Sequence, residues 1–140
     1  MIVHVCNDRG AWGKGFVLAL SQRWSAPEAA YRRWHQDPGE SPFELGAVQF
    51  VEVEPALWVA NLIGQHGIRS LQGVPPVRYD AIHAGLERVA AFAREHAASV
   101  HLPRIGCGLA GGTWDRVEPL LEATLAARGV GVTVYDFAPR

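Results

Sequence analysis

Residues 2–15 have the sequence IVHVCNDRGAWGKG, and they indicate the fold class. Residues 2–6 are mostly β-branched and apolar, which is typical of a buried strand. A polar loop with three glycines follows, and the apolar residues Phe16, Leu20 and Trp24 then lie four positions apart, as on one face of a helix. The segment therefore predicts a strand, a glycine loop, and a helix from about residue 13 to residue 24.

Residues 100–112, VHLPRIGCGLAGG, repeat this arrangement near the other end of the chain. Residues 100–105 predict a strand, and Thr113 is expected to cap the helix that follows the glycines. Helix starts carry unpaired N–H groups and glycines let a backbone approach a phosphate, so both loops are candidate phosphate sites. Because the carboxyl ends of strands in an open α/β sheet share one edge, two such loops suit a diphosphate better than a single phosphate.

The remaining periodicity completes an α/β pattern. Ser25 and Glu28 have the spacing of a capping box for a second helix, and Pro119 is expected to divide the last helix from its opening turn. Strands separated by helices in a chain of this length predict a three-layer α/β/α sandwich, with residues 1–140 forming one domain. The other predicted elements are strands over residues 47–53, 57–63 and 130–137, a loop over 64–76 and a helix over 79–98.

Composition limits the function classes. The formal net charge is −1 with no basic stripe, which argues against a broad nucleic-acid surface. No apolar run approaches the roughly 20 residues that span a bilayer, and the first residues lack signal-peptide features, so we expect a cytoplasmic protein. Cys6 and Cys107 are expected to be free thiols. Scattered histidines and the lack of a Cys-x-x-Cys motif predict neither a metal site nor a cofactor.

The second loop also fits a dinucleotide fingerprint, Gly106-x-Gly108-x-x-Gly111, and Asp136 lies roughly where that motif places an acid for the ribose hydroxyls. The motif begins only 34 residues before the end of the sequence, which leaves no room for the rest of such a fold. We therefore keep an NAD-binding protein only as an alternative to the main hypothesis.

In several motifs the chain resembles macrodomains, in particular the branch of terminal ADP-ribose glycohydrolases and ADP-ribose 1''-phosphate phosphatases. The motifs span nearly the whole chain in the family's order: HVCND at residues 4–8, GAWGKG at 10–15, VANLIGQHG at 59–67, PPVRY at 75–79, PRIGCGLAGGTW at 103–114 and VTVY at 132–135. The resemblance implies a mixed sheet of about five strands and a ligand that is ADP-ribose or an ADP-ribosylated macromolecule.

The resemblance also implies a set of contacts. Asn7 would contact the distal ribose, the first glycine loop the diphosphate, and the second loop would close over the phosphates, while Tyr135 or Phe137 would border the adenine. The expected ligand-binding residues are Asn7, Asp8, Gly10, Trp12, Gly13, Lys14, Gly15, Gly106, Cys107, Gly108, Leu109, Ala110, Gly111 and Phe137.

The chain departs from the family pattern in two ways. Family members usually have a further N-terminal strand and an acidic turn that recognises adenine, so we expect an uncovered sheet edge that favours homodimerisation. Glycohydrolases of this branch also use a mid-chain lysine and an aspartate in the second loop. Here Lys14 is the only lysine and Ala110 stands at the position of the aspartate, so a lysine adduct is not expected.

Hydrolysis of ADP-ribose esters, on acidic side chains or as the 1''-phosphate, would then use a positioned water. Asp8 is a candidate general base, and His66 and His4 are candidate acids, although Asp8 equally suits a loop cap. Lys14 is a candidate phosphate partner, and Cys107 is expected at a helix N-terminus, where thiol pKa values fall. A non-catalytic ADP-ribose reader is the alternative from a different class.

Overall fold

The computed structural model describes residues 1–136, within which the chain forms five strands and four helices. In chain order these are β1 (Ile2–Asn7), α1 (Phe16–Arg23), α2 (Ala26–Gln36), β2 (Val48–Glu54), β3 (Leu57–Gln65), α3 (Tyr79–Glu95), β4 (Val100–Pro103), α4 (Trp114–Thr124) and β5 (Val132–Tyr135). A short 3-10 turn over Ala126–Arg128 follows α4 and ends at Gly129, whose φ is 75°.

The strands form one mixed sheet in the order β2-β3-β1-β4-β5. β2 is antiparallel to β3, and the other neighbours are parallel. β1 lies at the centre, where Ile2 pairs with Val59 of β3 on one side and His101 of β4 on the other. The prediction that the chain opens on a buried strand is therefore confirmed, as is the mixed sheet of about five strands.

Helices cover both faces of the sheet. The neighbouring residues Leu62 and Ile63 of β3 are both fully buried but belong to different hydrophobic clusters, since successive strand side chains point to opposite faces. Leu62 packs with residues of α3 and α4, and Ile63 packs with residues of α1 and α2. A strand buried on both faces is largely apolar without alternation, as residues 57–63 are apart from Asn61. The α/β/α sandwich is confirmed.

The start of α1 differs from the prediction. The helix begins at Phe16 and not near residue 13, because Gly15 has φ 79° and ψ −141°, which is not a helical conformation. The three residues before Phe16 are thereby left in the loop, at the edge of the sheet where a ligand would approach.

The predicted caps are wrong. The Ser25 backbone has helical angles, φ −81° and ψ −20°, so its side chain makes no capping bond, and Glu28 instead accepts hydrogen bonds from Ser21 and Arg32. Thr113 also makes no side-chain capping bond. α4 runs unbroken through Pro119, so the predicted division of that helix is wrong as well.

Within the described sheet, β2 and β5 are the edge strands. Homodimerisation through such an edge stays a prediction. Among residues 1–136, no helix combines the length and apolar character needed to cross a bilayer.

Candidate functional site

A cleft of about 660 Å³ opens at the edge of the sheet where the parallel strands end. Residues 14–17, which lead into α1, form one wall, and residues 106–110 after β4 form the other. Gln65 of β3 lies in the lining, as do Tyr135 and Asp136 at the end of β5. The volume is within the range of small-molecule sites, about 300–1,000 Å³. The two glycine loops thus face one cavity.

Asn7 holds the first loop in shape. Its side-chain amide donates to the carbonyl of Ala11 at 2.8 Å, and its Oδ1 accepts from the backbone N–H groups of Arg9 at 2.9 Å and Ala11 at 3.2 Å. The buried Tyr31 hydroxyl donates to the Asn7 carbonyl at 2.5 Å. Within the described residues Asn7 uses one of its two amide hydrogens, so its contact with a ribose stays a prediction.

Two predicted ligand residues face the protein interior instead. Trp12 is 5% exposed, packs against Tyr31 and donates from its indole to the Ser21 hydroxyl at 2.8 Å. A side chain at Gly10 would overlap the His35 ring, so this glycine allows α2 to approach the loop. Trp12 and Gly10 lie outside the described cleft lining, because they are needed where the loop packs on α1 and α2, and their contact with a ligand stays a prediction.

The part of the loop that follows is open. A side chain at Gly13 or Gly15 would meet nothing within 4 Å, and the exposed Lys14 has no ion-pair partner among the described residues. Lys14 and Gly15 line the cleft, whereas Gly13 lies just outside its described lining. The first N–H groups of α1 have no partner within their own helix, and they carry its positive dipole end.

The second loop is closed by its own backbone. The Gly112 N–H donates to the carbonyl of Gly106 at 2.7 Å, and the Gly111 N–H donates to that of Gly108 at 3.0 Å. Gly111 has φ 80° and faces Pro75, so it forms the turn and is absent from the described cleft lining, and its contact with a ligand stays a prediction. The predicted residues that do line the cleft are Gly106, Cys107, Gly108, Leu109 and Ala110.

Asp8 and His66 form a pair beside the cleft. The Asp8 carboxylate accepts from His66 Nδ1 at 2.7 Å and from the Gly67 N–H at 2.8 Å. Burial opposes ionisation of Asp8, but these hydrogen bonds and the His66 ring outweigh it, so the pKa of Asp8 is lowered. Neither side chain is in the described lining, although Gln65, whose carbonyl accepts from the Asp8 N–H at 3.1 Å, is.

Cys107 is a half-buried free thiol in the second loop. α4 begins only at Trp114, so the thiol is not at a helix N-terminus, and its Sγ donates to the carbonyl of Ile105 at 3.4 Å. Burial raises the pKa of Cys107, and this effect is larger than that of the positive charge of Arg104, which lowers the pKa. The predicted lowering of this pKa is therefore wrong.

An ion pair forms the wall at the β5 end of the cleft. Arg104 donates to both carboxylate oxygens of Asp136, at 2.6 and 3.3 Å, and its guanidinium lies over the Trp114 ring. The half-exposed Tyr135 ring lies beside this pair in the lining. Phe137, the other predicted adenine neighbour, is outside the described residues.

Sequence reasoning did not single out Gln65 or Arg104, and it considered His4 only as a possible acid, whereas all three line the cleft. Gln65 and Arg104 each lie where a predicted parallel strand ends, and that position was the available signal. Among residues 1–136, no three His, Cys, Asp or Glu side chains are close enough together to hold a metal ion.

No family model matches the chain. Among solved structures it is similar to a macrodomain protein from Streptomyces coelicolor, with 64% identity and a TM-score of 0.85 over 98% of this chain and 87% of that one. It is also similar in fold to Thermosipho africanus DarTG, solved in complex with ADP-ribose, with 17% identity and a TM-score of 0.79 over 99% of this chain and 38% of that one.

A curated relative from Danio rerio, Chromodomain-helicase-DNA-binding protein 1-like, is 31% identical over 146 residues. The alignment covers 98% of this chain but only 14% of the length of that relative. High identity to the Streptomyces protein over most of both chains, together with the similarity of the two folds, shows that this chain belongs to the macrodomain family.

Proposed function

We propose that this macrodomain binds ADP-ribose, with the diphosphate held between its two glycine loops. The observation that carries the proposal is that the start of α1 and the loop after β4 form opposite walls of one cleft. A diphosphate between them would meet backbone N–H groups, a helix dipole and the only lysine of the chain. The fold shared with the ADP-ribose complex of Thermosipho DarTG supports the same ligand class.

The width of the cleft across the sheet supports a ligand that extends to both sides of its diphosphate, with a different group on each side. In the order β3-β1-β4-β5, Gln65 and Asp136 are separated by three strand intervals, or about 14 Å at about 4.8 Å each. We assign the distal ribose to the β3 end, where the remaining amide hydrogen of Asn7 would donate to a hydroxyl. The nucleoside then lies toward β5.

Gly108→Glu is the direct test of binding. A side chain at Gly108 would meet nothing within 4 Å, so the variant should fold, yet it places a carboxylate on the cleft wall where the phosphates are assigned. We expect calorimetry to show at least a hundredfold loss of ADP-ribose affinity, about 2.7 kcal/mol. Gly131→Glu is the matched control, since Gly131 is exposed, has room for a side chain and lies outside the described lining.

Unchanged affinity in folded Gly108→Glu would refute the assigned site. The same titrations with NAD test the dinucleotide alternative, which predicts tight NAD binding and no measurable ADP-ribose binding. We expect the protein to bind ADP-ribose more tightly than NAD.

Hydrolysis of ADP-ribose esters is the proposed activity of this site. The Asp8–His66 pair next to Gln65 favours it, because a carboxylate that fixes an imidazole is an arrangement that can remove a proton from water. Water would form a bond to the anomeric carbon while the ester C–O bond breaks and the carboxylate leaves with the electron pair. With Lys14 on the phosphate side of the cleft, the step uses no lysine adduct.

A non-catalytic reader is the competing function, because the described lining has no carboxylate at the β3 end. Incubation with a glutamate-linked mono-ADP-ribosyl protein and with ADP-ribose 1''-phosphate distinguishes the two. Release of ADP-ribose or phosphate at multiple turnovers is expected. Tight binding without release at stoichiometric protein would establish the reader function instead.

A further inference from the structure

Among residues 1–136, only Arg104 donates to Asp136, the carboxylate at the β5 end of the cleft. An ionised carboxylate has about four lone-pair sites and no hydrogen to donate. Arg104 Nε and Nη2 occupy two of these sites on Asp136, and the side chain is otherwise 62% exposed at the cleft. Asp136 is thus an oriented acceptor for an N–H or O–H group of a ligand.

Arg104 fixes the position and charge of this acceptor. Its guanidinium carbon lies 5.2 Å from the centre of the Trp114 ring, so the arginine has a second contact besides the carboxylate. Hydrogen bonding to Arg104 lowers the pKa of Asp136. At neutral pH the group is therefore ionised and cannot donate.

The neighbouring Tyr135 makes this end suitable for a planar group. Its hydroxyl is bonded to His101 Nδ1 at 2.8 Å, and its ring stacks on the His101 ring with centroids 5.8 Å apart. The ring is thereby fixed in the lining beside Asp136. A flat surface next to an acceptor-only group matches a heterocycle with an amino edge better than it matches a sugar.

We infer that Asp136, positioned by Arg104, is the residue that selects a 6-amino purine over a 6-oxo purine in this cleft. The inference rests on the proposed ADP-ribose function and adds its base specificity. The adenine amino group would donate to the free lone pairs of Asp136, whereas the carbonyl oxygen of hypoxanthine would place two acceptors against each other. Because the carboxylate is largely exposed, the discrimination should be modest, about tenfold.

The test is calorimetric titration of ADP-ribose and of inosine diphosphate ribose, its hypoxanthine analogue, into wild-type protein and Asp136→Asn. The wild type should prefer ADP-ribose about tenfold. The asparagine amide can present either an oxygen or an N–H group, so Asp136→Asn should bind the two ligands within about twofold. Asp115→Asn, which changes an exposed carboxylate outside the described lining, should keep the wild-type preference.

Three outcomes contradict the inference. Equal affinities of the wild type for the two ligands overturn it. A wild-type ratio of affinities retained in Asp136→Asn overturns it as well, even if both affinities fall, because a parallel loss would mean that Asp136 binds a ribose hydroxyl. If the wild type binds neither nucleotide, the proposed function fails and the base specificity fails with it. Circular dichroism of each variant confirms that the comparison is made between folded proteins.

Discussion

His66 donates from Nδ1 to the Asp8 carboxylate at 2.7 Å, which joins two residues 58 positions apart in the sequence. The second carboxylate oxygen is held by the Gly67 N–H at 2.8 Å, so the pair is fixed on both sides. With Nδ1 protonated and donating, a neutral His66 ring carries its free lone pair on Nε2. The proposed hydrolysis uses this lone pair to accept a proton from a water molecule at the adjacent end of the cleft.

We predict that Asp8→Asn and His66→Gln each lower ester hydrolysis about a hundredfold, the usual contribution of general acid–base catalysis. ADP-ribose affinity should change less than threefold, since neither side chain is in the described lining. Rates of ADP-ribose release from a glutamate-linked conjugate, measured across pH 5–9, provide the check. A structural role alone would leave the shape of the pH profile unchanged.

The matched control is His83→Gln, which removes the histidine of an exposed pair with Glu87 on α3. It should release ADP-ribose at the wild-type rate. Equal rates in all three variants would contradict a catalytic role for the Asp8–His66 pair.

His4 is predicted to make the protein sensitive to mild acid. It is fully buried, and its Nε2 lies 2.5 Å from Asn61 Oδ1. Burial lowers the pKa of His4 to about 4, although the hydrogen bond to Asn61 raises it in part. The unfolded chain binds this proton near pH 6.5, whereas the folded protein does not until about pH 4. The stabilisation is therefore complete above pH 6.5 and is lost as the pH falls toward 4, by about 3 kcal/mol.

Urea unfolding at pH 7.5, 6 and 4.5 measures this loss. His4→Gln should flatten the dependence, while His96→Gln, at an exposed position, should retain it. Asp8 does not obscure the result, because its lowered pKa places its own loss of stabilisation below about pH 4. A wild-type slope in His4→Gln would assign the acid sensitivity to other groups.

Tyr31→Phe should loosen the first glycine loop. The hydroxyl is buried and donates to the Asn7 carbonyl at 2.5 Å, so its removal leaves that carbonyl without this partner. We expect a loss of about 1–2 kcal/mol in the free energy of unfolding and a fewfold loss of ADP-ribose affinity. Tyr79→Phe, whose hydroxyl accepts from Thr113 in an exposed setting, should cost less than about 0.5 kcal/mol.

Local patterns were sufficient for the architecture. The mostly apolar residues 57–63 predicted a strand, and in the sheet its Leu62 and Ile63 pack on opposite layers. The two strand–glycine–helix segments also predicted correctly that Lys14 and the second loop share one cleft. Both results follow from chain periodicity and from the common edge of parallel strands, which depend little on distant contacts.

Side-chain roles inside the first loop were not predictable in this way. Trp12 and Gly10 lie in the same glycine-rich motif as Lys14, yet they face the helices, because Ser21 of α1 and Arg32 and His35 of α2 pack there. Likewise, Asp8 and His66 were considered as separate candidates, since nothing in the sequence brings residues 58 positions apart into contact. Such partners depend on the packing of whole elements, and spacing along the chain carries no signal for them.

Gly112→Ala should damage both stability and binding through the second loop. A methyl group at Gly112 would overlap the carbonyl oxygen of Gly106, the same atom that accepts the Gly112 N–H at 2.7 Å. The loop must open to relieve this overlap, which we expect to cost about 2 kcal/mol in unfolding free energy and more than tenfold in ADP-ribose affinity. At Gly131 a methyl would meet only the Ser99 side chain at 3.8 Å, an ordinary contact, so Gly131→Ala should change neither quantity. Urea unfolding and calorimetry on the two variants separate the outcomes, and identical behaviour would show that closure of the second loop does not shape the cleft.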